Sequence, residues 1–169
     1  FRLIWGLLLV SLVGCSAYST RSANDLPGKP VELVVVVDGI KSVEGRLMVF
    51  IHDNEFAYHA DDDIHSDQFS AFKYVSVTPD MPSTTVRFEA VPEGRYAISC
   101  YQDEDGDGTL DRQIFPFIGM PTEPYGISNH VYSFFSKASF DAALVDVKAT
   151  GSEVHIHIST HLTKVFGGS

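Results

Sequence analysis

From residue 31 onward, apolar residues fall in short runs, most of them alternating with polar residues at the two-residue period of a strand with one buried face. Residues 84–91 are the clearest case, with Val86, Phe88 and Ala90 set against Arg87 and Glu89. Runs at 72–78, 95–102, 143–148 and 153–159 predict further strands, punctuated by turn residues at Pro92-Glu93-Gly94 and Thr150-Gly151. Runs 31–37 and 46–52 are apolar on both faces, which predicts strands covered on both sides. Seven short strands with no sustained helical period predict an all-β chain: a single immunoglobulin-like or prealbumin-like β-sandwich.

The pattern breaks between residues 112 and 141. That stretch holds seven aromatics and three prolines. A structureless loop of this length is unusual in a compact domain, so an ordered segment is expected, wrapped over the outer faces of 31–37 and 46–52. Six of its aromatics, Phe115, Phe117, Tyr125, Tyr132, Phe134 and Phe135, form the candidate binding surface.

The first residues carry a different signal. Arg2 precedes an apolar run at 3–13, too short to span a bilayer and of the right length for a signal core. The run ends in Leu12-Val13-Gly14-Cys15, which resembles a bacterial lipobox. The expectation is a signal peptide at 1–14, removed to leave a lipidated Cys15 on a tether at 15–30 rich in polar, Pro and Gly residues. The sandwich then occupies 31–160, followed by a tail at 161–169. Because the first residue is Phe, the natural start is expected upstream. Ser16 in place of Asp favours the outer membrane among envelope destinations, so the expected location is the cell envelope with the membrane engaged through the N-terminal lipid. Of the two cysteines, this leaves Cys100 without an intrachain partner. Its alternation with Tyr96 and Ile98 reads it as a small buried hydrophobe.

The 169 residues carry a formal charge of −10, which argues against nucleic acid and anionic membrane surfaces as electrostatic partners. The acidity is concentrated in residues 103–111, Asp-Glu-Asp-Gly-Asp-Gly-Thr-Leu-Asp. With Asp103 as position 1, carboxylates fall at 1, 3, 5 and 9 (Asp103, Asp105, Asp107, Asp111), Gly108 at 6, and the carbonyl of Thr109 at 7. That is the spacing of a calcium loop. Adjacent carboxylates repel at roughly 1 kcal/mol per close pair even in water, and a plain turn needs no more than one. Position 12 is Ile114, so the loop lacks its usual bidentate Glu, and Pro116 forbids an exit helix. Glu123 is the candidate to supply the missing ligand. Calcium is the expected cofactor, and an acidic hairpin turn without metal is the alternative.

Other clusters are weaker. His155 and His157 share one strand face and could hold zinc or copper with His161, but such positions are usually a solvated face. His59, His65 and the Asp61-Asp62-Asp63 run lack the alternation of the main loop and read as a solvated loop. No Gly-x-Ser-x-Gly, His-Glu-x-x-His or glycine-rich phosphate loop is present, and no catalytic residue is assigned. Two functions follow: a lipid-anchored, calcium-stabilised envelope module that binds a protein or glycan, or a metal-dependent envelope hydrolase using the loop or the His pair.

The block 91–98 with the acidic loop, then Gly119-Met120-Pro121-Thr122-Glu123-Pro124-Tyr125-Gly126-Ile127-Ser128-Asn129, then Ser139-Phe140-Asp141-Ala142-Ala143, closely resembles a bacterial family. It is the domain-of-unknown-function family numbered two thousand one hundred and forty-one. The resemblance spans about residues 31–160 and implies an exported small β-sandwich, with no reaction attached. The chain departs from that pattern at residues 133–138, where Gly and Pro are usual, and in an acidic, His-containing insertion at 53–68.

Overall fold

The computed structural model describes residues 28–114 and 118–167; Cys15, Phe115 and Phe117 lie outside the described residues. In chain order the elements are β1 (Pro30–Asp38), β2 (Arg46–His52), α1 (Glu55–His59), β3 (Lys73–Val77), β4 (Ser83–Pro92) and β5 (Gly94–Asp103). Then come β6 (Tyr125–Ile127), a 3-10 turn (Ser128–His130), α2 (Phe140–Ala143), β7 (Leu144–Val147), β8 (Ser152–His157) and α3 (His161–Phe166). One sheet has the order β4-β1-β8, with β1 antiparallel to β4 and parallel to β8. The other runs β3-β2-β5, and β6 and β7 share the far edge of β5. The chain is an all-β sandwich.

The alternation along β4 behaves as its sequence dictates: Thr84, Val86 and Phe88 are buried, while Thr85, Arg87 and Glu89 face water. Ala90 breaks the rule. The register skips from Val31↔Val91 to Leu33↔Phe88, and Ala90 takes φ 53° at this bulge, which turns it outward and brings Val91 in. The ammonium of Lys73 donates to the Glu89 and Ala90 carbonyls, at 2.6 and 2.9 Å, satisfying groups the bulge takes out of the ladder.

Between the sheets, Leu33, Val35, Val37 and Ile156 pack with Leu47, Val49, Ile51 and Ile98, all with no exposed surface. Each is worth about 1.5–3 kcal/mol of apolar burial. Cys100 joins this cluster as expected. Its Sγ lies 3.7 Å from the Gly126 carbonyl, and burial pushes the thiol up to about 12.

β2 is buried on both faces, but its cover is not the segment expected. Met48 and Phe50 pack under Ala71, Phe69 and Ile64, with Tyr101 and Leu110 beside them, so the 53–72 stretch does most of the covering. α1 starts that stretch, its first turn capped by the Asn54 side chain accepting from the Ala57 N–H at 2.9 Å. The 112–141 excursion covers the far side of β5 instead, where Ala97, Ile127, Ala138 and Ala143 cluster with Tyr58. On β1 the outward Val34 and Val36 stay half-buried between the polar neighbours Arg87, Glu153 and His155.

Among the described residues eight strands form rather than seven, together with three short helices. β6 arises inside the excursion because Tyr125, Gly126 and Ile127 pair with Tyr101, Cys100 and Ser99, which would otherwise leave a buried edge unsatisfied. The expected tail at 161–169 instead begins with α3, whose first residue, His161, is buried. At four to six residues, α1–α3 are too short to print a helical period. Among the described residues no helix is long and apolar enough to cross a membrane.

Candidate metal centre and adjoining cleft

β5 ends at Asp103, which shares with Ser99 and Tyr101 the sheet face turned away from the sandwich core. Its carboxylate folds back over the loop it starts: Oδ1 accepts from the Gly106 N–H at 2.8 Å and Oδ2 from the Gly108 N–H at 3.0 Å. Asp105 accepts from the Asp107 N–H at 3.1 Å, and Asp107 from both the N–H and the hydroxyl of Thr109, each at 2.8 Å. Glu123 enters from the far side of the excursion. One of its oxygens accepts from the Glu104 N–H at 2.6 Å and the other from the Asp111 N–H at 3.1 Å. It therefore clamps both ends of the acidic loop.

Asp103, Asp105 and Glu123 bring one oxygen each to within 4.8 Å of one another. Two oxygens on a single calcium ion, each 2.3–2.6 Å from it, stand at most about 5 Å apart, so these three fit one hard cation. Asp103 and Glu123 are buried and Asp105 is exposed. Among the described residues no Lys or Arg ion-pairs with any of them. Burial pushes Glu123 up to about 7; the Asp103 and Asp111 charges add to the shift, and the two backbone N–H groups offset part of it. Asp111 is also raised, by desolvation and by the charges of Asp105, Asp107 and Asp103. Asp107 is held low by its bonds to Thr109. Asp107, Thr109 and Asp111 stand on the same loop but outside the three-carboxylate group.

The loop is buttressed by the 53–68 insertion. The Gly108 carbonyl accepts from Tyr101 Oη at 3.0 Å and from the Ile64 N–H at 3.2 Å. Within the insertion, Asp61 and Asp63 accept from backbone N–H groups of their own turn, while Asp62 points inward. Asp62 meets Arg112 at 2.7 Å and Lys137 at 3.2 Å, and those two cations hold its carboxyl below the ordinary range against the opposing effect of burial. This triad joins three segments far apart in sequence. His59 and His65 are exposed. His155 and His157 sit on the exposed outer face of β8, His155 beside Glu153 at 3.0 Å and His157 beside Asp38. Among the described residues neither belongs to a three-ligand group.

Next to the acidic loop is a cleft of about 230 Å³, floored by β5 and β6 and walled by residues 118–121 and 131–138. Tyr125, Tyr132, Phe134 and Phe135 of the expected aromatic surface all line it. Sequence reasoning missed Asp62, Lys137 and His161 there. His161 lies between two tyrosine hydroxyls, Tyr125 at 3.2 Å and Tyr132 at 3.4 Å, and burial pushes its imidazole down.

Ser99 lines the floor, and its Oγ lies 2.9 Å from His52 Nε2. The register explains the meeting: His52 opposes Ala97, so Ser99 is its diagonal neighbour on the same face. Burial, with Lys137 next, pushes His52 down to about 3, leaving a neutral and weakly basic imidazole. The pair serves as a buried hydrogen bond beneath the cleft.

Together these features define a small β-sandwich whose central strand delivers an acidic loop beside an aromatic-walled cleft. The chain belongs to the bacterial family described as "Uncharacterized protein conserved in bacteria (DUF2141)", whose model matches residues 35–155. No curated protein and no solved structure matches the chain.

Proposed function

We propose that this protein is a lipid-anchored, calcium-stabilised binding module of the bacterial cell envelope, held at the outer membrane through Cys15. The observation that carries the calcium reading is the convergence of Asp103, Asp105 and Glu123, two of them buried, with no cationic side chain paired to them among the described residues. Concentrating like charges in a buried position is costly unless a cation offsets it. Glu123 stands where the usual position-12 Glu is missing, and its hydrogen bonds to Glu104 and Asp111 would transmit ion binding to both ends of the loop. The module binds an envelope partner through the aromatic cleft beside the loop.

Calcium should raise the melting temperature. Extracellular calcium modules bind at about 0.1–1 mM, and at a hundred times the dissociation constant linkage gives about 2.7 kcal/mol. For a domain of this size that is on the order of 5–10 °C. Asp105→Ala, which touches only the Asp107 N–H, should leave the calcium-free protein folded and remove most of the rise. Magnesium should do much less, because it demands a smaller octahedral cage. A melting temperature indifferent to calcium and chelator, with no calorimetric heat, would leave the loop as a hairpin turn.

The anchor has its own test. With Cys15→Ser, the chain should accumulate uncleaved or soluble, because the lipid holds an otherwise soluble domain at the bilayer. Membrane fractionation identical to that of the parent would refute lipidation at Cys15.

A further inference from the structure

We propose that the cleft beside the acidic loop is a binding site for a small aromatic carboxylate, an inference that names the ligand class for the binding-module reading above. Its walls are an aromatic cluster. Phe134 packs edge-on to Phe135 and to His161, with centroids 4.6 and 5.6 Å apart, and Tyr132 tilts against His161 at 5.6 Å. Tyr132 and Phe134 are each 38% exposed and Phe135 is 89% exposed, so a single wall leaves three ring faces or edges open to an incoming ring. Exposed apolar surface on this scale at the mouth of a cleft marks a binding site rather than a random surface residue.

Charge selects the other end of the ligand. The charged groups lining the cleft are Arg112, Lys137 and Asp62, and the one histidine lining it is His161. Asp62 is ionised between the two cations and His161 is neutral, so the lining holds one net positive charge in a chain of −10. Lys137 also lies 4.6 Å from the centre of the Tyr58 ring, and its side chain is only 20% exposed, so its ammonium is fixed in place. A half-buried, positioned cation with one carboxylate shared between it and Arg112 has charge left for one anionic group. The neutral His161 accepts from one of the Tyr125 and Tyr132 hydroxyls and donates to the other, which leaves that second hydroxyl free to donate as well.

Size sets the scale. At roughly 10–15 Å³ for each water-sized group, a cleft of 230 Å³ takes a ligand of no more than about fifteen to twenty non-hydrogen atoms. One ring bearing a short acid arm falls inside that limit. An extended peptide strand or a sugar chain would overfill the cleft.

The test uses three isosteric probes: phenylacetate, 2-phenylethanol and the phenethylammonium cation. They are titrated by calorimetry and ligand-observed NMR into the chain from residue 15 onward, carrying Cys15→Ser and retaining every described element. Phenylacetate should bind with a dissociation constant of about 0.1–1 mM, the alcohol about fivefold more weakly, and the cation at least about tenfold more weakly. Lys137→Gln should cut phenylacetate binding about five- to tenfold and bring acid and alcohol level. Phe134→Ser should weaken all three probes together. Melting curves verify that each variant is folded, and the order of the three probes on the parent decides the matter even if a variant is not. No binding of any probe at 10 mM, or a cation bound as well as the acid, would overturn the proposal. Calcium is titrated separately into the same sample, so a calcium heat without probe binding sinks this inference alone, and probe binding without calcium heat sinks the calcium reading alone.

Discussion

Gly45→Ala should destabilise the domain by about 3–5 kcal/mol, the range reserved for core disruption rather than surface change. Gly45 precedes β2 with φ 67°, and a Cβ there would lie 1.8 Å from the Asp103 carbonyl oxygen and 2.7 Å from the Glu104 Cα. Both are backbone atoms, so no side-chain rotation relieves the overlap; β2 or the start of the acidic loop must move. Movement breaks the pairing of Arg46 with Asp103 and strains the Gln102 amide, which donates to the Ser42 and Glu44 carbonyls at 3.1 and 2.9 Å. The natural comparison is Gly106→Ala. Gly106 has a similar φ of 80°, but a Cβ there meets nothing within 4 Å, so only the left-handed backbone penalty of about 1–2 kcal/mol applies. Denaturant unfolding of the two variants separates overlap from conformation. Equal losses in the two, or a Gly45→Ala midpoint close to the parent's, would show that the approach of β2 to the loop is not tight. Because Gly45 abuts the residue that opens the acidic loop, its variant should also lose calcium stabilisation, whereas Gly106→Ala should keep most of it.

Strand-forming residues were legible wherever one face was wet. The period along β4 and the unbroken apolar runs of β1 and β2 place the sandwich core nearly residue by residue, and Cys100 falls inside it as its neighbours imply. What the pattern cannot carry is which segment covers a doubly apolar strand, since any apolar stretch satisfies β2 equally. The structure uses the 53–72 stretch, and the acidic look of its 53–68 part hid Ile64, with Phe69 and Ala71 just beyond it. The carboxylate spacing of 103–111 pointed to the loop, and Glu123, picked out because it lies in the segment that follows, is brought beside Asp103 and Asp105. The split within the loop was not readable: the short Thr109 hydroxyl draws Asp107 away from the group that Asp103 and Asp105 form with Glu123. Nor was the Arg112–Asp62–Lys137 triad, whose members are tens of residues apart and meet only because the insertion and the excursion fold over the same sheet face. Its one sequence trace is that the two places where the chain departs from its family pattern, 53–68 and 133–138, supply Asp62 and Lys137.

Without calcium, the parent should lose stability relative to Glu123→Gln as pH rises from about 5 to 7, the reverse of an ordinary carboxylate's effect. Glu123 causes this. Burial, aided by Asp103 and Asp111, raises its carboxyl from 4.5 to about 7 in the folded state. Between those two values this carboxyl holds its proton in the folded chain and not in the unfolded one, so its own contribution to the slope of stability with pH is negative there. Below about 4.5 both states are protonated and the penalty is absent; above about 7 both are ionised and it is fully present. At 1.36 kcal/mol per unit the loss is on the order of 2–3 kcal/mol. Asp111 is raised and acts in the same direction. Asp62 and Asp107 are held low, so their opposite contribution falls below the ordinary carboxylate range and outside this window. His52 and His161, both pushed down by burial, raise stability with pH up to their ordinary value of 6.5 and offset Glu123 in the parent, so the comparison with Glu123→Gln isolates the carboxyl. Calcium should reverse the trend. It favours the ionised Glu123, so binding releases a proton, and affinity should rise by up to about tenfold per pH unit below 7. Glu123→Gln keeps the shape but cannot ionise: it should remove the falling contribution from the calcium-free profile, lose a hydrogen bond to the Glu104 or Asp111 N–H, and bind calcium poorly at every pH. Guanidinium unfolding at pH 5, 6, 7 and 8, with chelator and with calcium, reads all of this. The same slope with pH in the parent and in Glu123→Gln, both in chelator, would remove Glu123 from the role given it here.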